Sequence, residues 1–389
     1  MHRFSQSTTD ADFVQNPYLA YDRARALGDI VWWDEYAMPA ALSHRAVRLL
    51  LTDRRLGRAP PVPAAPAAHL ATWNRVDQNS MLELEPPRHT KLRGLVLRAF
   101  TGRRVAQMAD GIQTLCHQLI DAFPAGPFDL LQAYAQPLPV IVIAKLLGVP
   151  LDRTDDLLRW SNTMVAMYQT GRSHAVETAA EQATQDFVAY LDDVIAHRRT
   201  TPGADLITDL IDAEQNGDRL TAPELISTII LLLNAGHEAT VHTIGNGVNI
   251  LAALPPQPIT DATIEEVLRY DPPLHMFTRW AYDDIDCFGH AIAKGTQVAC
   301  VLAAANRDSA VFQAPHHFDA TRAPGPHQSF GAGIHFCVGA PLARLELRLG
   351  LKTLFDRCPD LHITTPPRYA NTYHFHGLER LMIQTRATI

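Results

Sequence analysis

Ser329-Phe330-Gly331-Ala332-Gly333-Ile334-His335-Phe336-Cys337-Val338-Gly339-Ala340 sets one cysteine in a glycine-rich loop directly ahead of a helical pattern. Gly331, Gly333 and Gly339 let the backbone turn sharply and come close to something flat or bulky. The run from Pro341 to Phe355 reads as helix, with Pro341 suited to its first turn. Cys337 therefore sits just before a helix N-terminus, where the dipole and free N–H groups favour a thiolate. A thiolate held in this way is a good axial ligand for haem iron. Taken alone, a cysteine in a tight turn also reads as a buried structural residue.

Composition narrows the field. The chain has 389 residues and a net charge of 34 − 41 = −7, with 47% hydrophobic residues, enough for a large core. Mild acidity and the lack of a dense Lys/Arg block argue against nucleic-acid binding. The five cysteines (Cys116, Cys287, Cys300, Cys337, Cys358) form no Cys-x-x-Cys pair, so neither a disulfide framework nor a zinc ribbon is indicated, and a reducing compartment fits best. The polar start MHRFSQSTTDADF lacks a signal-peptide core. No stretch reaches the ~18 apolar residues of a membrane helix. A cytoplasmic protein without membrane attachment is expected.

The pattern Phe-Gly-x-Gly-x-His-x-Cys-x-Gly, filled at every fixed position from Phe330 to Gly339, resembles the haem-ligand signature of the cytochrome P-450 family. The resemblance implies a mainly α protein, a single domain over residues 1–389, with a small β-rich lobe. It implies haem b as cofactor, held between a central helix and the cysteine helix, with Cys337 as the metal ligand and Ala235, Gly236, Phe330, His335 and Gly339 against the cofactor. It also implies a monooxygenase: one atom of O2 enters a C–H bond or double bond of a small, largely apolar substrate, and the other leaves as water. The chain has no flavin, nicotinamide or iron–sulfur segment of its own, so a ferredoxin with its reductase is the expected electron source. A monomer is expected. A peroxide-driven haem-thiolate enzyme and a non-catalytic haem-thiolate sensor are the rival classes.

Along the chain, residues 17–29, Ser43 to Leu51, Val105 to Ala122, Leu138 to Leu147 and Asp155 to Arg199 read as helices, and Ile30 to Trp33 as a strand. Residues 59–68 are rich in Pro and Ala and read as irregular. In the family the corresponding region helps define the substrate pocket. Glu85-Pro86-Pro87-Arg88-His89 opens a helix that carries His89 and Arg93 on one face. Such a pair suits a carboxylate partner or simple solvation. The resemblance makes them contacts to the haem propionates.

Residues 223–253 read as one helix of about 30 residues, roughly 45 Å long. Its half Leu225 to Leu233 is apolar nearly all round and should be buried. Asn234-Ala235-Gly236-His237-Glu238-Ala239-Thr240 then breaks the pattern and suggests a local distortion close to a flat surface. This resembles the family's oxygen-activation motif, in which an acid precedes a threonine. Glu238 matches the acid, but Ala239 stands where the family usually has threonine, and Thr240 follows one position on. One residue is about 100° of helix rotation, so Thr240 does not simply replace it. A water- or substrate-assisted relay, Glu238 acting through water, or a helix bulge turning Thr240 inward would each answer the departure.

Glu266 and Arg269 lie i and i+3 on one helix ended by Pro272 and Pro273. With Arg322, they resemble the family's Glu-Arg-Arg network that fixes the cysteine loop. Leu274-His275-Met276-Phe277-Thr278-Arg279 runs extended. The resemblance places Arg279 on a propionate and Leu274, His275, Met276 and Phe277, with Leu232, in the substrate pocket. Asn306-Arg307-Asp308 resembles a structural motif. His374 and His376 are candidate polar contacts, residues 281–300 a β-hairpin region, and Tyr373–Gly377 with Leu381–Ile383 a last β-pair. Arg103, Arg104 and Arg344 are candidates for a basic docking face.

Overall fold

Ser43 shows how the local rules build this chain. Its hydroxyl accepts from the Ala46 N–H at the start of the helix His44–Thr52, so an orphan donor of the first turn is satisfied. The computed structural model describes residues 1–386 except 64, 170, 216–219, 324 and 374, and leaves aside the side chains of residues 99, 214 and 215. His374 thus lies outside the described residues, as does part of the Pro/Ala segment 59–68.

The helices in chain order begin with α1 Ala11–Gln15, α2 Tyr18–Leu27, α3 His44–Thr52, α4 Ala71–Asp77 and α5 Arg88–Ala99. Next come α6 Gly102–Gln107, α7 Ala109–Asp121, α8 Pro137–Leu147, α9 Thr154–Val165 and α10 His174–Thr200. The last are α11 Leu206–Gln215, α12 Ala222–Ala252, α13 Asp261–Tyr270, α14 Leu302–Ala305 and α15 Ala340–Arg357. The expected helix over Val105 to Ala122 is two helices, α6 and α7, meeting at Met108.

The described residues form two compact units: unit 1 is Met1–Val62, Gln113–Ala135 and Ala239–Ile389, and unit 2 is Pro63–Ile112 and Gln136–Glu238. All described strands lie in unit 1. Its main sheet takes β1 Arg3–Phe4, β2 Ile30–Trp33, β3 Met38–Ala41, β4 Leu56–Gly57, β6 Met276–Ala281 and β9 Gln297–Val301 in the order β1-β2-β3-β9-β6-β4. β5 Phe128–Asp129, β10 His362–Ile363 and β13 Met382–Gln384 form a second sheet. β7 Ile285–Cys287 with β8 His290–Ile292, and β11 Arg368–Tyr369 with β12 Leu378–Arg380, form two-stranded pairs. The expected pairing of Tyr373–Gly377 is therefore displaced. Among the described residues there, Phe375 makes an isolated bridge to Leu274, and the C-terminal strands are β12 and β13.

Successive strand residues point to opposite faces, and both faces of the main sheet are buried. Ile30, Ala41, Val298 and Cys300 pack with Ala46, Val47 and Leu50 of α3. Val31, Ala40, Ala299, Val301 and Met276 pack with Tyr18, Tyr21 and Ala24 of α2. Fully burying one such aliphatic side chain is worth about 1.5–3 kcal/mol. In unit 2, Leu70, Met167 and Ala180 form a smaller cluster under Ala67 and Trp73. Among the described residues, no helix is long and apolar enough to cross a membrane.

Candidate active site

The cysteine loop is shaped by backbone bonds. Cys337 N–H donates to Phe330 O at 3.0 Å, Gly331 N–H to Gln328 O at 2.8 Å and Phe336 N–H to Gly333 O at 3.1 Å. Gly331 and Gly333 have φ of 69° and 72°, where side-chain-bearing residues are strained. A Cβ at 333 would lie 2.4 Å from Leu51 O, and one at 331 would press on the Phe277 ring at 3.1 Å. Gly339 differs. Its φ is −81°, and a Cβ there would meet only the Cys337 Sγ, at 3.8 Å. Two glycines thus make the turn, and the third keeps the ground beside the sulfur clear.

Cys337 is exposed, three residues ahead of α15. The other four cysteines are buried. Burial pushes the thiols of Cys116 and Cys287 up to about 11 and that of Cys300 to about 12, and raises that of Cys358. Only Cys337 combines an accessible sulfur with a loop built around it.

The loop is tied to the end of α13. Ser329 Oγ donates to Leu268 O at 2.7 Å and accepts from Asn306 Nδ2 at 2.8 Å, while Gln328 N–H donates to Asn306 Oδ1 at 2.6 Å. Behind them stands a buried ion network. Arg269 gives Glu266 two hydrogen bonds of 2.7 Å, both side chains being 2% exposed. Arg269 also donates to Asn306 O at 3.0 Å and Pro315 O at 2.9 Å. Arg322 Nε reaches Glu266 at 3.2 Å, and the Asp319 N–H adds a donor at 2.9 Å. The network ends on Asn306, whose side chain holds residues 328 and 329. Arg307 stacks between Tyr18 and Tyr270, at 3.8 and 3.7 Å from their ring centres.

Arg344 is committed inside this unit. It pairs with Glu265 at 2.6 and 3.0 Å and lies 4.5 Å over the Phe330 ring. Burial would raise the Glu265 carboxyl, but hydrogen bonds from His327 and Arg344 hold it down at about 2. Arg104 is likewise paired with Asp209 in unit 2. Of the three arginines expected on a docking face, two are therefore engaged within the chain. Arg103 is exposed.

Arg279 is buried on β6, with Nη1 donating to Thr278 O at 2.8 Å, and half-buried His335 ends the short turn Gly333–His335. In unit 2, His89 is buried and Arg93 half-buried, one turn apart on α5. The extended stretch before Arg279 divides in a way the sequence did not reveal. Leu274 and Phe277 are half-buried, and Phe277 lies against the cysteine loop. Met276, expected in the pocket, packs instead in the core with Val301. His275 is also withdrawn: it is 1% exposed, and its Nδ1 is 3.0 Å from Tyr21 Oη. His376 and Tyr18 complete that buried network on Asp271, at 2.9 and 2.6 Å. Burial would raise the Asp271 carboxyl, but the neighbouring His376 and His275 with the Tyr18 hydroxyl hold it well below the usual range.

The central helix α12 runs as regular α-helix from Ala222 to Ala252, so the expected distortion at 234–240 is absent and no bulge turns Thr240. Leu225, Ile229, Leu232 and Leu233 are buried, as the apolar pattern requires. Gly236 has a local reason: a Cβ there would lie 2.9 Å from Ile143 of α8. The glycine is thus required by close packing of two helices. Ala235, beside it, is exposed. Glu238 is 19% exposed, its Oε2 3.6 Å from Nε2 of buried His237, whose Nδ1–H donates to Leu233 O at 2.7 Å.

Ala239 is half-buried and Thr240 is buried. Thr240 faces a carboxyl that sequence reading passed over, Glu346 of α15. Glu346 is 1% exposed, and neither of its oxygens has a hydrogen-bond partner of normal geometry among the described residues. Burial raises its pKa well above the usual range, with Thr240 close enough only to temper the shift. The cue available was a glutamate flanked by Leu345 and Leu347 within the helix that follows Cys337.

These donors fit a haem. An exposed cysteine on a hydrogen-bonded loop would supply a soft thiolate ligand, Gly339 leaves space beside the sulfur, and buried Arg279 suits an acidic substituent.

Similarity to known proteins agrees. The family profile described as Cytochrome P450 matches residues 249–367. Cytochrome P450 monooxygenase PikC of Streptomyces venezuelae is 36% identical over 407 residues, covering 96% of this chain and 92% of that protein. The crystal structure of P450BioI in complex with hexadec-9Z-enoic acid ligated acyl carrier protein matches with TM-score 0.91 and 34% identity, covering 96% of this chain and 100% of that one. Myxobacterial cytochrome P450 CYP267B1 in complex with myristic acid matches with TM-score 0.88 and 32% identity, covering 96% and 98%. With its cysteine loop, ion network and near full-length likeness to these proteins, the chain belongs to the cytochrome P450 family.

Proposed function

We propose that this P450 monooxygenase hydroxylates or epoxidises a largely apolar organic substrate, with Cys337 as the thiolate that would hold the iron of its protohaem. The observation that carries this reading is the single exposed cysteine on a loop fixed from behind by Glu266, Arg269 and Asn306. When bound, the haem supplies the oxygen-activating chemistry, and a thiolate ligand favours O–O cleavage. The chain's own residues do the rest. Arg279 and His335 of unit 1 offer donors for the propionates. Half-buried Leu274 and Phe277 offer apolar surface for substrate.

Protons need a route without the usual threonine. Glu238, partly exposed and next to His237, takes them from solvent through water. Ala239 leaves the space of a threonine side chain for a water molecule or a substrate hydroxyl. Thr240 does not act there, because it faces Glu346 on a regular helix.

Electrons come from a ferredoxin and its reductase. Long-chain acyl compounds are the first substrates to try, because two of the solved relatives were crystallised with such ligands. The test compares turnover with ferredoxin, reductase and O2 against turnover with peroxide alone. Product only with the redox partners supports the proposal. Product only with peroxide, which Ala239 would favour, replaces it with a peroxygenase. Haem binding with no product under either condition replaces it with a sensor or carrier.

A further inference from the structure

We infer that His69, His174 and Glu177 form a binding site for a divalent transition-metal ion, best suited to Zn2+, on the surface of unit 2. His69 lies in a short turn, Ala68–Leu70, just after the Pro/Ala segment. His174 is the first residue of α10, and Glu177 follows on the same face one turn later. The ligand atoms of the three side chains all lie within 4.8 Å of one another. His69 Nε2 is 2.8 Å from Glu177 Oε2, His174 Nδ1 is 3.8 Å from the same oxygen, and the two rings are 4.7 Å apart.

Zinc bonds of about 2.0–2.1 Å in a tetrahedron put donor atoms about 3.3 Å apart. The two spacings on Glu177 Oε2 straddle that value and the histidine atoms lie within 4.8 Å of each other, so side-chain adjustments of about 1–2 Å would complete three ligands and leave one position for water. Two imidazoles and a carboxylate are a donor set zinc accepts. The metal takes the position of the His69 Nε2 proton, leaving His69 as its Nδ1–H tautomer.

The surroundings hold this geometry. Arg172 Nε binds the other carboxylate oxygen, Oε1, at 3.1 Å, which orients Oε2 toward the histidines. One turn on, Glu181 accepts from the backbone N–H groups of Thr72 and Trp73 at 2.9–3.1 Å. The turn bearing His69 is thus already attached to α10 without metal. The site is open to solvent, with His69 and His174 side chains 40% and 75% exposed. The buried cluster Asp271, His275 and His376 makes a poorer site, because Tyr18, Tyr369 and His376 already occupy the Asp271 oxygens.

Metal binding would brace the segment after residue 66 against α10, slowing its opening. The test titrates ZnCl2 into the haem-loaded full-length protein by calorimetry at neutral pH, beside H69A, H174A and E177Q. The inference expects one saturable equivalent in the micromolar range, about tenfold or more weaker in each variant. It also expects Zn2+ to slow amide exchange in residues 67–73 of the wild type only. His69 and His174 are exposed, and the E177Q substitution keeps the size of a half-buried side chain, so all three variants should fold. Absence of a saturable equivalent, unchanged binding in an H69A/H174A double variant, or Zn2+-independent exchange in the wild type would overturn it.

Discussion

The cysteine loop at 328–340 and the helical stretch at 234–240 have opposite degrees of backbone freedom. In the loop the backbone leaves regular structure, so each hydrogen bond needs its own donor and acceptor. Gly331, Gly333, Ser329 and Asn306 are each dictated by a contact under 3.2 Å. In the stretch the backbone is ordinary α-helix, which satisfies itself. Only Gly236 is dictated there, and by Ile143 of a packing helix. Irregular backbone fixes residue identity. Regular backbone leaves identity free, and Ala239 sits in such a stretch.

The largest effect should come from breaking the brace behind the loop. Arg269→Ala leaves the Glu266 carboxylate buried with its main partner gone, a cost of about 3–5 kcal/mol. The variant should be recovered with little haem, read from the ratio of haem to protein absorbance. Normal haem content would mean that the loop holds its shape without the network.

Next comes the acid of the helical stretch. Glu238→Gln should lower coupled turnover by about 10²-fold, the lower range for a lost proton-transfer group, with haem content unchanged. Equal loss of haem would make Glu238 a structural residue and erase the contrast between the regions.

A smaller effect separates the two regions by pH. Glu265 is held at about 2 by His327 and Arg344, below its ordinary 4.5. A depressed carboxyl contributes stability that is present above about pH 4.5 and lost as pH falls toward 2. The melting-temperature gap between wild type and Glu265→Gln should therefore narrow on acidification from pH 6 to pH 3. A constant gap would show that the pair under Phe330 contributes no charge-dependent stability.

The smallest effect is expected at Ala239. If water or substrate fills the place of the missing hydroxyl, Ala239→Thr should change the coupling of reductant to product by less than about twofold, well under the ~10² of a proton-relay residue. A sharp gain in coupling would show that the native relay is poor.

The same contrast explains what the sequence made legible. Phe330 to Gly339 could be read at every fixed position because an irregular loop needs those residues. Glu266 and Arg269 could be read from helical spacing, and the structure pairs them at 2.7 Å. The burial of Met276 and His275 was not legible because both faces of the main sheet are covered, so alternation along this extended run does not separate core from surface. Glu346 went unnoticed because a glutamate on an amphipathic helix usually faces water, and only tertiary packing buried it. The reason for Gly236 was equally hidden, since Ile143 is 93 positions away in the chain.

The ferrous carbonyl absorption spectrum of the haem-loaded protein, recorded beside Cys337→Ser, tests the central assignment most directly. The account expects the long-wavelength Soret band of a thiolate-ligated haem in the wild type and its loss in the variant. A wild-type band at the position of a histidine-ligated haem, or an unchanged band in Cys337→Ser, would contradict the assignment of Cys337 as the iron ligand.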